Sequence, residues 1–154
     1  MPAPAHYAVS DGVLAGAYPA SAEAVAALER EGVTLFVDLT HPSDPLDDYG
    51  HLLRGSRRVA YPIPDMGTPT TGYVMRILDD IDGARAQGGT VYVHCWGGVG
   101  RTGTVIGCWL VRHQLDEGDP IARLAELRAA VAGERPSPET PAQVALVRGW
   151  RRGW

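Results

Sequence analysis

The strongest constraint on this chain is an abrupt change of texture between residues 90 and 103. Thr90-Val91-Tyr92-Val93 is short, apolar and β-branched, as suits a strand buried on both faces. It runs into His94-Cys95-Trp96-Gly97-Gly98-Val99-Gly100, a turn rich in glycine. Arg101-Thr102-Gly103 then opens a largely apolar helix expected over 101–114. Strand, glycine turn and helix in that order suit one task in particular, holding a tetrahedral oxyanion against a sulfur nucleophile. The glycines let successive backbone N–H groups turn inward as an anion nest. The helix N-terminus adds unpaired donors and partial positive charge. Arg101 can grip two phosphate oxygens at once, which a lysine cannot do as well. A thiol beside a helix N-terminus and a guanidinium is in the environment that yields a thiolate, so Cys95 reads as the nucleophile.

The rest of the chain reads as an α/β scaffold for that unit. Short strands are expected at 7–9 and 13–15. A helix over 22–31 is capped by Ser21 and stopped by Gly32. Val33-Thr34-Leu35-Phe36-Val37-Asp38-Leu39 reads as a buried strand, and residues 40–50 as a polar, proline-broken loop. A strand is expected over 58–63, and a helix capped by Thr70 or Thr71 reaches about Ala86. An amphipathic helix over 119–132 places Ile121, Leu124, Ala125, Leu127 and Val131 near one face. Ser137-Pro138 is expected to open a last helix to about Arg152. Alternating strands and helices imply a single, mostly parallel central sheet flanked by helices. The 154 residues suit one catalytic domain over the whole chain.

Composition narrows the function classes. With 45% hydrophobic and 21% charged residues the chain is an ordinary globular one. A net charge of −4 disfavours a nucleic-acid partner. No apolar run is long enough for a membrane span and no secretory signal is visible at the start, so the expected location is the cytoplasm, with no membrane partner. Cys95 and Cys108 are too few for a disulfide framework, and Cys108 reads as a small core residue. The histidines His6, His41, His51 and His113 show no metal spacing, so neither a metal nor another cofactor is expected.

His94-Cys95-x5-Arg101-Thr102 resembles the signature of the cysteine-dependent protein-tyrosine phosphatase superfamily. The length and the run HCWGGVGRTG resemble its small dual-specificity members, bacterial ones and kinase-associated phosphatase among them. The resemblance implies a dual-specificity-phosphatase-like fold and Trp96, Gly97, Gly98, Val99, Gly100 and Arg101 as the phosphate cradle. His94 is then a brace pointing away from substrate, and Thr102 a hydroxyl directed at the sulfur. The family also carries an acid on a loop some thirty residues before the cysteine. Here Tyr61-Pro62-Ile63-Pro64-Asp65-Met66-Gly67-Thr68-Pro69 puts Asp65 at that spacing. Asp65 is expected to protonate the leaving group and then take a proton from the attacking water. The other acids read as Asp38 bonding loop backbone and Asp44, Asp47 and Asp48 forming a solvated acidic loop that could border the cleft.

Arg135-Pro136-Ser137-Pro138-Glu139-Thr140-Pro141-Ala142-Gln143 resembles a tail segment that packs behind the phosphate loop in small phosphatases. Gln143 is there a candidate to assist the hydrolytic water, or else a solvated helix residue. The basic, aromatic end from Arg148 to Trp154 reads as a helix terminus with Trp150 packed inward. The expected function is hydrolysis of phosphotyrosine, and of phosphoserine or phosphothreonine if the pocket is shallow, on a phosphorylated protein. The alternatives are a non-catalytic phosphopeptide-binding module, sulfur transfer or arsenate reduction, and a phosphatase of RNA 5′-triphosphate or inositol phosphate. The uncharged loop disfavours the polyphosphorylated lipids, and Asp65 disfavours sulfur transfer.

Overall fold

A computed structural model describes residues 3–131 and 135–154. Met1, Pro2 and Ala132, the expected end of the amphipathic helix, lie outside the described residues. Strand β1 (His6–Ser10) turns at Gly12 into β2 (Val13–Gly16), and the two pair antiparallel. Helix α1 (Ala22–Arg30) starts where the Ser21 hydroxyl accepts from the Ala24 amide. It leads to β3 (Val33–Asp38), then β4 (Arg57–Ala60), α2 (Thr71–Ala86) and β5 (Thr90–His94). Three helices close the chain, α3 (Gly100–Arg112), α4 (Pro120–Arg128) and α5 (Pro141–Arg148).

The five strands form one sheet in the order β1-β2-β5-β3-β4. β2, β5, β3 and β4 run parallel, as the alternating pattern predicts, and the opening hairpin adds one antiparallel edge strand. Both faces are covered. Val25 and Leu28 of α1 pack on Phe36, Tyr92 and Tyr49 on one side. On the other, Leu35, Val37, Val91 and Val93 meet Ile77, Leu78, Ile106 and Trp109. This double burial explains the near-continuous apolar text of β3 and β5. Register aligns Gly16, His94, Asp38 and Ala60 across the sheet, so the carboxyl ends of the parallel strands finish side by side. That edge is where ligands sit in open parallel sheets.

Most boundaries shift by a residue or two, and four elements call for comment. β4 stops at Ala60 because Pro62 and Pro64 cannot donate to a ladder, although Ile63 still enters the core. α3 starts at Gly100 and ends at Arg112. α4 ends at Arg128, which leaves Val131 in a turn and exposed, off the buried face. The last helix starts at Pro141 and not at Pro138, and it ends at Arg148. Thr140 and Gln143 form a reciprocal capping box at Pro141, whereas the Ser137 hydroxyl is spent elsewhere, donating to the Val99 carbonyl at 2.5 Å.

Candidate active site

The site grows from the central strand. β5 ends at His94, and Cys95 is the first residue beyond the sheet, 3% exposed. The loop Trp96 to Val99 then curls into the start of α3. Gly98 has φ +75, and a Cβ there would lie 2.5 Å from the carbonyl carbon of Gly16. Only glycine lets the loop seat so closely on the end of β2. The Tyr18 amide donates to the Trp96 carbonyl at 3.0 Å and fixes the same side. The tail segment closes the opposite side. A Cβ on Gly103 would meet Ser137 Oγ, and one on Gly100 would meet the Glu139 carboxylate. Trp96 is exposed.

His94 is fully buried, turned to the α1 face of the sheet. Its Nδ1 lies 3.0 Å from the Cys95 carbonyl and its Nε2 2.7 Å from the Tyr49 hydroxyl. A carbonyl can only accept, so Nδ1 carries the proton and Nε2 accepts from Tyr49. This is the neutral imidazole. Burial lowers the pKa of His94, against the opposing pull of Asp38. His94 thus braces the backbone of the cysteine itself. Tyr49, which no local pattern in the sequence singles out, completes that brace.

Arg101 is 2% exposed. One terminal nitrogen donates to Asp44 Oδ2 at 2.7 Å and to the Ile63 carbonyl at 2.8 Å. The other lies 3.4 Å from Asp65 Oδ1. Its Nε is buried with no protein partner. Asp44 therefore corrects the sequence reading. It is buried at 8% exposure, folded into its turn by accepting from the His41 amide, and paired with Arg101. The available signal was its frame in Thr-His-Pro-Ser-Asp-Pro directly after β3, on the same sheet edge as Cys95. Asp48 stays on the surface, paired with Arg58. Asp38 accepts from the Thr40 amide at 2.9 Å.

Asp65 projects from the proline loop after β4 with its side chain half exposed. Thr102 Oγ1 is buried and has no partner. Gln143 is fully buried. Its Oε1 accepts from the Glu139 and Thr140 amides, and its Nε2 donates to the Gly67 carbonyl at 3.0 Å. One side chain thus ties helix α5 to the loop that carries Asp65. Cys108 lies in the core of α3, its thiol pushed up by burial. Trp109 is buried and donates to Asp82, and Trp150 packs inward. Among the described residues no group of three or more histidine, cysteine or acidic side chains is arranged to hold a metal.

Solved structures share this fold. Tk-PTP in its active form superposes with a TM-score of 0.77 at 23% identity, over 94% of this chain and 95% of that one. PTPMT1 in complex with PI(5)P gives 0.77 at 20% identity, over 95% and 94%. The fold is that of the small cysteine-dependent phosphatases of the dual-specificity class. Residues 13–115 match the family described as polymorphic toxin system, DSP-PTPase phosphatase, and the chain belongs to that family. A relative named as tyrosine phosphatase 067L, from Invertebrate iridescent virus 3, is 37% identical over 111 residues, covering 69% of this chain and 45% of its own. The chain spans less than half the length of the curated relatives it matches.

Proposed function

We propose that the chain hydrolyses phosphate monoesters of phosphorylated protein, phosphotyrosine and also phosphoserine or phosphothreonine, through a phosphocysteine on Cys95. The observation that carries this is Arg101. It is a buried guanidinium beside the cysteine loop, held by Asp44 and Ile63 through one nitrogen, with its Nε left unpaired. A guanidinium held in that way has Nε for one phosphate oxygen, and its second terminal nitrogen, now 3.4 Å from Asp65 Oδ1, for another once phosphate displaces that carboxylate.

The chemistry follows from the positions. Cys95 Sγ attacks phosphorus from the loop, and the bond to the leaving oxygen breaks. Asp65, on the outer side of Arg101, gives that oxygen its proton. Backbone N–H groups from Trp96 to Gly100 and Arg101 hold the charge on the equatorial oxygens. In the second step water attacks phosphorus, Asp65 takes its proton, and the phosphorus–sulfur bond breaks. The orphan hydroxyl of Thr102 is available to donate to the departing thiolate. Gln143 positions the acid loop through Gly67 and leaves its own carboxamide no free acceptor pair for a water.

The surroundings favour a monophosphate on a peptide. Two clefts flank the Pro62–Pro64 segment and share Pro62. One, of about 300 Å³, is lined by Asp38, Asp44, Asp47 and Asp48. The other, of about 330 Å³, is lined by Pro62, Ile63, Pro64, Pro69 and Tyr73 among others. The first wall carries four carboxylates against the one guanidinium of Arg58, a negative excess that works against a polyphosphorylated headgroup or an RNA 5′-triphosphate. No helix among the described residues is long and apolar enough to cross a membrane. Two free cysteines suit a reducing compartment such as the cytoplasm. The test is to quench the protein with acid during turnover of a phosphotyrosine peptide and map the adduct. Phosphate on Cys95 is the expected result, and steady turnover with no phosphorylated cysteine refutes the mechanism.

A further inference from the structure

Tyr49 stands in the loop between β3 and β4, and its side chain is buried on the α1 face of the sheet. Phe36 and Tyr18 pack against its ring, each with centres 5.7 Å away, and the Arg58 guanidinium lies 5.0 Å from the ring centre. The hydroxyl is thereby held in place, 2.7 Å from His94 Nε2. His94 is held too, with Tyr92 stacked on its ring at 5.8 Å. A hydroxyl can donate or accept, so this contact alone fits either neutral form of the imidazole. The two forms are not equal for Cys95. With the proton on Nδ1, His94 donates to the Cys95 carbonyl at 3.0 Å. With the proton on Nε2, a bare ring lone pair faces the lone pairs of that carbonyl.

The neighbours of Nε2 pull in opposite directions. Asp38 Oδ1 lies 3.9 Å away, and a carboxylate there favours a proton on Nε2. Its pull is blunted by Thr40, whose amide and hydroxyl both donate to the same oxygen, and by Arg58, 3.7 Å from Oδ2. Arg58 and Arg101 also act against a second proton on the ring. Tyr49 opposes Asp38. Burial and the Asp38 charge push the Tyr49 hydroxyl far above its usual range, so it keeps its proton at every physiological pH. A buried hydroxyl proton needs an acceptor, and Nε2 is the one it meets. Tyr49 therefore occupies the Nε2 lone pair and leaves the ring proton on Nδ1. A planar trans peptide carries its N–H opposite its C=O. Fixing the Cys95 carbonyl thus also fixes the Trp96 N–H, the first donor of the proposed cradle.

We propose that Tyr49 is a positioning residue for the attack by Cys95. Its hydroxyl selects the Nδ1–H form of His94, and that form sets the Cys95–Trp96 peptide, which joins the residue carrying the sulfur to the first N–H of the cradle. The role in attack rests on the phosphocysteine mechanism proposed above; the choice of tautomer does not. Without the Tyr49 proton, Asp38 remains beside Nε2, the ring proton moves to that side, and the Cys95 carbonyl loses its donor.

The experiment uses Tyr49→Phe, which keeps the buried ring and removes only the hydroxyl. Proton–nitrogen correlation spectra of isotope-labelled protein at neutral pH read which ring nitrogen carries the proton, and His94→Asn identifies the His94 signals by their loss. Wild type should show the proton on Nδ1, and Tyr49→Phe should show it on Nε2. Hydrolysis of p-nitrophenyl phosphate by folded Tyr49→Phe should fall about tenfold in kcat/KM. Asparagine places an amide N–H where Nδ1–H stood and has no tautomer to choose. In a His94→Asn background, Tyr49→Phe should therefore change kcat/KM by less than about twofold. A proton on Nε2 in wild type overturns the proposal and needs no variant. Nδ1–H retained in Tyr49→Phe overturns it, and so does an unchanged kcat/KM. An equal loss in the His94→Asn background overturns it too, since that is the mark of packing alone. No turnover in wild type would refute the proposed function, while the two spectra would still decide whether Tyr49 chooses the tautomer.

Discussion

Replacing Asp44 by asparagine tests whether Arg101, the arginine proposed to bind phosphate, depends on a carboxylate that lies 57 residues before it in the chain. The exchange keeps the size of the side chain and an acceptor oxygen but removes the charge. In the folded protein Asp44 Oδ2 sits 2.7 Å from an Arg101 nitrogen, and both side chains are nearly inaccessible, 4% and 2% exposed. A hydrogen bond to a charged group contributes about 1.5–3 kcal/mol, against about 1 kcal/mol for a neutral one. The difference is of order 1 kcal/mol, with the Ile63 carbonyl still holding the same nitrogen. An arginine that rests in its cradle for a smaller share of the time should lower kcat/KM by about five- to tenfold. Asp44→Ala, which also frees the His41 amide, should cost more, about ten- to a hundredfold. The assay is steady-state hydrolysis of p-nitrophenyl phosphate by variants whose circular dichroism matches wild type. The reasoning fails if Asp44→Asn keeps wild-type kcat/KM. It fails more sharply if kcat/KM rises, since Asp44 would then be competing with phosphate for Arg101.

Three further outcomes follow from the site. Asp65→Ala should lower kcat about 10²- to 10⁴-fold on alkyl phosphates and much less on p-nitrophenyl phosphate, whose leaving group needs little protonation, and a comparison of the two substrates checks it. Gln143→Ala should cost about 1 kcal/mol of stability through the lost capping box, and it should also lower kcat with Asp65 intact, because Gly67 loses its donor. Thermal melts and kinetics on one preparation separate the two effects. His94, held neutral by burial, should make stability fall in acid: below about pH 6.5 the unfolded chain takes up a proton that the folded chain refuses. That part of the stability is fully present above pH 6.5 and is lost as the pH drops toward the lowered folded value. Melts of wild type and His94→Gln between neutral pH and mild acid should show the flatter slope in the variant.

The parts of this protein legible in its sequence are those fixed by neighbours along the chain. β5, the glycine loop and α3 follow one another directly, and their texture changes at the residues where the structure changes. Helices α1 and α2 carry local caps at Ser21 and Thr70, which the structure uses. What stayed illegible depends on distant partners. Asp44 has the look of a loop acid until Arg101 is folded against it. Gln143 reads as a solvated helix residue until Gly67, 76 residues earlier, comes within reach. The start of α5 reads as Ser137-Pro138, but the structure caps the helix with Thr140 at Pro141. The shift is owed to Val99, 38 residues before Ser137, whose carbonyl takes up the Ser137 hydroxyl.

The central claim is that the Cys95 sulfur does the chemistry. Its most direct test is hydrolysis of p-nitrophenyl phosphate by wild type and Cys95→Ser, both in EDTA and both shown to be folded. The account predicts metal-independent turnover in wild type and none in Cys95→Ser, which should still bind phosphate in the front cradle through Arg101. Turnover by Cys95→Ser at the wild-type rate would contradict it.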